Sequence, residues 1–357
     1  MITGNKGEWS EIYTLLKIIS DKQLFAGDFD LNKIESLIFP IIKVLRDESS
    51  GTYEFSYEND LVVVKDNSTE FRIPVSKFQE QAVCLLEKLQ SETSASFSIP
   101  DVEAFINSFN SQSIKAKSSI KSDIRVVIHD LRTGMTPELG FSIKSQLGSP
   151  STLLNAGKTT NITYKLCVEL TENQISQINA LDTRSKIKDR LKEIEKQGGT
   201  FIFQKMDSQV FENNLILIDS CLPQIVADMV FEFFNSENSK ISDLVKFISI
   251  LNPLNYNLDN KHPFYLYKIK RLLTDIALGM MPATVWTGEL DATGGYLVVK
   301  GNGDVLCYHI YNKNEFEDYL FFNTKLETAS STRHEFGTIY SVDDELFFKL
   351  NLQIRFV

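Results

Sequence analysis

Trp9, Ile12, Leu16 and Ile19 recur at the spacing of one helix face, so residues 8–20 are predicted as an amphipathic helix entered from a Gly-rich start, with Glu8 at the rim of its buried side. Three short β-type runs follow between 52 and 75, separated by Asn and Asp turns, and suggest a small meander. Residues 77–109 read as helical with a Ser/Thr-rich break near Ser91 to Pro100. Residues 123–130 and 140–147 are β-rich and joined by a turn containing Thr133, Gly134 and Pro137, which predicts an antiparallel hairpin. A polar loop to about 163 precedes a charged helix near 172–196 that stops at Gly198-Gly199. Strands are expected at 200–205 and 214–219, and helices at 222–236, 241–251 and 263–281, the last with the core stripe Leu266, Ile269, Leu273, Ile276 and Met280. The final seventy residues return to β-runs.

Composition narrows the class. The chain has 357 residues, 43% of them hydrophobic and 24% charged, with 17 Gly and 9 Pro, a packed globular protein of about two domains. Cys84, Cys167, Cys221 and Cys307 stand too far apart for a zinc ribbon, a redox pair or a disulfide framework, so a reducing cytoplasm fits. No signal peptide and no membrane span is expected. Thirty-seven basic against 47 acidic residues give −10, which argues against binding by bulk charge but leaves a locally charged site open. The four histidines are dispersed, and His309 in Cys307-Tyr-His309 reads as a strand histidine, not a zinc ligand.

The predicted hairpin carries the candidate chemistry. Alternate strand residues share a face, so Asp123, Arg125, Val127 and His129 point one way, and Ser142, Lys144 and Gln146 share a face of the partner strand. A turn centred near 132–134 sets Asp123 opposite Ser142 or Lys144. A carboxylate beside a lysine can hold Mg²⁺ on phosphate oxygens while the ammonium offsets charge on phosphorus; an ordinary hairpin ion pair is the plain alternative. Asp130, beside His129, is the second choice of acid. Asp291 followed by Lys300 repeats the pattern superficially, but Gly301-Asn-Gly303 makes a simple hairpin the better reading. Lys115, Lys117, Lys121 and Arg125 form a basic stretch suited to a phosphate backbone, whereas Arg184 to Lys192 interleave with acids and read as a surface ion-pair face.

A helix with Glu, then Asp at a strand start, then lysine within the next strand resembles the PD-(D/E)XK nuclease core. Gly4-Asn-Lys-Gly7-Glu8-Trp-Ser-Glu11 resembles the opening helix of junction-resolving relatives of that core. The blocks at 4–13, at 140–155 (Gly-Phe-Ser-Ile-Lys-Ser-Gln-Leu-Gly-Ser-Pro-Ser-Thr-Leu-Leu-Asn) and at 349–356 (Lys-Leu-Asn-Leu-Gln-Ile-Arg-Phe) more specifically resemble the HpaII family of type II restriction endonucleases, at the start, middle and end of the chain. That resemblance implies Mg²⁺-dependent hydrolysis of double-stranded DNA at a short palindrome, CCGG cut after the first C to leave a 5′-phosphate. A cognate DNA methyltransferase would protect the same site in the host. Asp123 matches the motif's first acid and Lys144 its lysine, while Ser142 stands where an acid is usual, a Ser-x-Lys variant. A hydroxyl is a poor Mg²⁺ ligand, so a carboxylate from elsewhere is implied, Glu8 first and Glu11 second. Glu8 also reads as a first-turn acid facing the helix dipole. Gln146 could position water or phosphate.

The expectation is therefore a mixed α/β, restriction-endonuclease-like core over 1–220, a helical connector over 221–285, and a C-terminal β-rich region over 286–357 making DNA contacts. Reading CCGG takes Arg plus Asp or Glu in the major groove. The loop 149–163, with Asn155, and the run Lys325 to His334, with Arg333, supply groups of the right kind. A homodimer matches a palindrome, with sequential nicking by a monomer as the other route. The reading from a different class is a non-catalytic duplex-binding protein that keeps the fold.

Overall fold

Asn5 opens helix α1 (Lys6–Asp21) through a reciprocal capping box, accepting from Glu8 N–H at 3.0 Å while Glu8 Oε2 accepts from Asn5 N–H at 2.9 Å. Trp9, Ile12, Leu16 and Ile19 are all buried, as their spacing requires. The computed structural model describes residues 2–114, 122–131, 133–290 and 293–357. Beyond α1 come β1 (Gln23–Gly27), β2 (Lys33–Glu48), β3 (Gly51–Glu58), β4 (Leu61–Lys65), β5 (Glu70–Pro74), α2 (Val75–Ser91) and α3 (Pro100–Asn107). They are followed by β6 (Ile124–Ile128), β7 (Glu138–Ser145), β8 (Thr152–Leu154), β9 (Asn161–Cys167), α4 (Glu172–Asn179), α5 (Lys186–Lys196) and β10 (Thr200–Met206). Helices α6 (Gln209–Ile218), α7 (Leu222–Asn235), α8 (Ile241–Leu251) and α9 (Phe264–Leu278) lead to β11 (Gly295–Val299), β12 (Val305–His309) and α10 (Lys313–Phe322). The chain closes with β13 (Thr324–Leu326), α11 (Ser331–His334), β14 (Ile339–Val342), β15 (Glu345–Asn351) and β16 (Ile354–Phe356).

The elements form two units, Met1–Ser151 with Leu290–Tyr319, and Thr152–Glu289 with Leu320–Val357. In the first, nine strands run in the order β1-β12-β11-β7-β6-β2-β3-β4-β5, and a further β1–β2 pairing closes six of them on themselves. Closure depends on β2 changing partner at Pro40. Pro40 is the last residue of β2 opposite β1, Ile41 the first opposite β6, and a proline that donates nothing suits such a bend. Strand β11 enters the sheet parallel to β7. Two glycines permit it: a Cβ on Gly294 would lie 2.7 Å from Gly140 O, and one on Gly295, at φ +106°, 2.2 Å from Tyr308 O. Helix α1 packs on the face made by Val44, Ile124, Val126, Phe141, Leu297 and Val299.

The second unit holds the antiparallel sheet β10-β9-β15-β14, the small sheet β13-β16-β8, and helices α4 to α9. Of the expected stripe, Ile269, Leu273, Ile276 and Met280 are core, while Leu266 is half-buried.

Five expectations change, the first being the polar loop to about 163, which contains β8 and the start of β9. The division at 220 and 285 gives way because the β11–β12 hairpin pairs with β7 and β1, which puts 290–319 with the N-terminal residues. Conversely, β9 pairs with β15 and β8 with β16, which joins 152–220 to the C-terminus. Residues 214–219 belong to helix α6, capped by Ser208 and buried through Phe211, Asn214 and Leu215. The charged segment 172–196 is two helices, and Arg190 is no surface ion-pair residue. It is buried and donates to the carbonyls of Asn179, Leu181 and Gly337, tying the α4–α5 turn in place.

Candidate active site

The β6–β7 hairpin has the predicted sense. Ile124 pairs with Phe141 and Val127 with Glu138, so one step further Asp123 faces Ser142, with Lys144 two residues along the same face. Two backbone bonds fix the acid: Asp123 N–H donates to Phe141 O at 2.9 Å, and Ile143 N–H donates to Asp123 Oδ2 at 2.6 Å. Oδ1 accepts no hydrogen bond among the described residues. On the other side β11 sets Tyr296 beside Ser142 and Val298 beside Lys144, and Lys144 Nζ lies 4.9 Å from the Tyr296 ring centroid. Tyr296 is buried and packs edge-on against Phe316 at 5.4 Å.

Burial shifts both charged groups toward neutrality. It raises the Asp123 carboxyl above its usual range, opposed by the Ile143 hydrogen bond and by the charges of Lys144 and Arg46. It lowers the Lys144 ammonium, opposed by Asp123. Each group's charge is thus disfavoured by burial and favoured by the other's presence.

A second buried pair stands behind this one. Arg46 on β2 is 1% exposed and ion-paired with Glu48, which is 3% exposed and also accepts from Ser111 Oγ at 2.6 Å. Burial lowers the Arg46 guanidinium, while Glu48, Glu11 and Asp123 favour its charge. The sequence reading missed Arg46, Glu48 and Tyr296. An Arg-x-Glu pattern inside the apolar run of β2 was the available signal for the first two, since alternate strand residues share a face.

The remaining candidates separate. Glu8 is occupied in the helix cap, which is its helix-terminus role. Glu11, one turn on, lines an open cleft of about 840 Å³ with Lys6, Ile143, Ser145 and Gly148. Among the described residues no group of three or more His, Cys, Asp or Glu side chains gathers as a metal cluster. Gln146 is exposed and its N–H donates to Val299 O at 2.8 Å. Asp130 lies at the far end of β6, buried and accepting from Thr133 Oγ1 at 2.9 Å within the turn, which leaves Asp123 as the acid beside Lys144. Arg125 is held by Asp47 in a bidentate pair at 2.9 and 3.0 Å and also meets Glu138, so it braces the sheet. Asn155 and Arg333 are exposed in the second unit. Lys115, Lys117 and Lys121 lie outside the described residues, as does Asp291 of the Asp291-to-Lys300 repeat, whose strands form the simple β11–β12 hairpin. His309 is buried, stacked on Phe39 at 5.6 Å, and its Nδ1 accepts from Tyr311 N–H.

A mixed α/β chain that holds one acid and one lysine on a central hairpin has the equipment of a phosphodiester hydrolase, and the comparisons with known proteins state the class: it is a type II restriction endonuclease, a site-specific deoxyribonuclease. The HpaII restriction endonuclease family matches residues 5–356, and the type II restriction enzyme HpaII of Haemophilus parainfluenzae is 51% identical over 360 residues, 99% of each chain. The chain belongs to the HpaII restriction endonuclease family. No solved structure matches it. Membership of an enzyme family over the full length sets aside the non-catalytic alternative. Among the described residues no single helix is long and apolar enough to cross a membrane.

Proposed function

We propose that the chain cuts both strands of duplex DNA at CCGG after the first C, leaving 5′-phosphates, through a PD-(D/E)XK-type site of the Ser-x-Lys variety with Mg²⁺ as cofactor. The observation that carries this reading is the register that sets Asp123 against Ser142 with Lys144 beside them. The free Oδ1 of Asp123 is a hard oxygen donor, and Mg²⁺ is commonly held by one or two carboxylates together with substrate phosphates, so the residues fit the ion. Asp123 holds it, with Glu11 from the cleft as the second carboxylate and Glu8 left to its helix cap. When bound, Mg²⁺ supplies a Lewis acid at the phosphoryl oxygen and lowers the pKa of water.

The chain's own groups do the rest. Ile143 N–H keeps the Asp123 carboxylate in one orientation, so no reorganisation is needed at reaction. Lys144, partly desolvated against Tyr296, offsets negative charge that develops on the phosphate more strongly than a hydrated ammonium would. Gln146, exposed one step further along the same face, meets water or a neighbouring phosphate. Asn155 and Arg333 contact DNA from the second unit, and Arg125 is released from that role by Asp47.

A homodimer with one active site per strand fits a palindromic target, and a methyltransferase of the same specificity protects host DNA in the cytoplasm where both act. Incubation with plasmid and Mg²⁺, followed by sequencing of every end, tests the reading. Ends clustering at C|CGG with 5′-phosphates are expected. Clustering at another tetranucleotide removes the CCGG assignment, and ends without a common sequence remove site specificity.

A further inference from the structure

Two stretches far apart in sequence meet in the second unit. Arg184, Lys186 and Lys188 line one wall of a cleft of about 310 Å³, and Thr328, Ser331 and Thr332 line the other. The wall of hydroxyls is unspent: Thr328, Ser331 and Thr332 make no side-chain hydrogen bond among the described residues, and Arg184, exposed at the rim, makes no ion pair there. Lys186 is paired with Asp182 at 2.9 Å, and Lys188 meets Ser236 O and Glu237 at 3.3 Å. Asp182 and Glu237 are 81% and 90% exposed. Ion pairs that open to water are weak and exchange partners readily, so the Lys186 ammonium remains available to a stronger anion, while Lys188 is also held by the Ser236 carbonyl.

The strand that feeds this wall adds an independent observation. Lys325 on β13 stands directly opposite Arg355 on β16, and on its other side it bridges to Lys240. Only Arg355 of the three has an ion pair among the described residues, with Glu327 at 2.7 Å. Like charges placed opposite each other on neighbouring strands repel. A chain of net charge −10 that nonetheless sets Lys240, Lys325 and Arg355 on neighbouring backbone, with β13 running on into the hydroxyl-bearing turn, has the layout of a surface for an extended polyanion.

We propose that this surface grips the phosphate backbone of the DNA substrate away from the reacting phosphate, with Arg184 and the hydroxyls of Thr328, Ser331 and Thr332 holding one phosphate and Lys325 another. Arginine and hydroxyl contacts of this kind fix the register of the protein on the duplex without reading sequence. The proposal rests on the chain being a DNA endonuclease and not on CCGG, so it is tested on binding to any duplex.

The test is equilibrium binding of the full chain, in Ca²⁺ without Mg²⁺, to a duplex containing CCGG and to one lacking it, over a range of salt concentrations. Arg184→Gln and Lys325→Gln should each weaken both complexes by a similar factor, and each should lower the slope of log K against log salt by about one, the double variant by about two. Lys192→Gln, exposed on α5 outside the cleft, should leave the slope unchanged. Unchanged slopes in both the Arg184 and the Lys325 variants would overturn the proposal. So would weakening confined to the CCGG duplex, which would make these residues base readers. A loss of inorganic phosphate binding with DNA affinity intact would mean that the cleft takes a free anion, and would equally overturn it. Absence of CCGG preference in the wild-type chain would count against the cutting specificity alone.

Discussion

The two candidate sites, one in each unit, use charge in opposite ways. In the first, the charged groups of interest are withdrawn from water and held by backbone or by one another: Asp123 by Ile143 N–H, Lys144 against Tyr296, Arg46 against Glu48. In the second, Arg184, Lys240, Arg333 and most of their acidic neighbours are exposed. Buried charges are costly, fixed and strong in their effect on a bound group, whereas exposed ones are cheap, mobile and screened by salt. A site that must stabilise one developing charge needs the first arrangement. A surface that must hold many phosphates of any sequence is served by the second.

That contrast can be broken at several points. Lys144→Ala removes the half-buried ammonium and should lower single-turnover cleavage by at least about 10²- to 10³-fold, the scale seen when one preorganised electrostatic group is deleted. Rapid-quench kinetics on pre-bound DNA checks it, and a loss under tenfold would place the chemistry elsewhere. Arg46→Met leaves Glu48 as an uncompensated buried charge and should cost about 3–5 kcal/mol of stability in urea unfolding, most of it recovered by Arg46→Met with Glu48→Leu. A single variant as stable as the double would show that the pair is not desolvated.

Burial without a charged partner gives a pH signature in the second unit. Desolvation pushes Asp228 up to about 6, opposed by a hydrogen bond from Gln224, and its Oδ2 has no hydrogen-bond partner among the described residues. Because the folded value lies above the unfolded one, the folded state prefers the proton. The contribution to stability is complete below about pH 4 and is lost as pH rises through about 6, at most about 3 kcal/mol over that window. Asp228→Asn should therefore raise the thermal midpoint at pH 8 and leave it nearly unchanged at pH 4. Equal effects at both pH values would contradict the sign. The smallest effect separates the two helix acids: Glu11→Gln should raise the Mg²⁺ concentration for half-maximal cleavage several-fold, while Glu8→Gln, which preserves the capping box, should not. The reverse order would restore Glu8 as the ligand.

Local physics made the hairpin legible. Turn residues fix its centre, strand period fixes its faces, and together they place Asp123 against Ser142 or Lys144, between which the register selects Ser142. Helix α1 was legible for the same reason, since its apolar spacing and its cap lie within sixteen residues. What the sequence hides are partners far along the chain. Tyr296 reaches Lys144 only because β11 inserts beside β7, and a strand's neighbours 150 residues away leave no trace in its own pattern. Residues 214–219 look like a strand from their apolar run, yet the buried set Phe211, Asn214 and Leu215 and the Ser208 cap make it a helix. Residues 23–48 carried no assignment, because Pro40 interrupts a strand that serves two partners.

The central claim, that the Asp123 carboxylate on this hairpin drives cleavage, is tested most directly by Asp123→Asn. The amide keeps the size of the side chain and can still accept from Ile143 N–H, so fold and DNA affinity should stay within about twofold of the parent while the negative charge is gone. Single-turnover cleavage of a pre-bound duplex in saturating Mg²⁺ should then fall at least about 10³-fold, with binding intact. Cleavage retained at near-parental rate by a folded, DNA-binding Asp123→Asn variant would contradict the account.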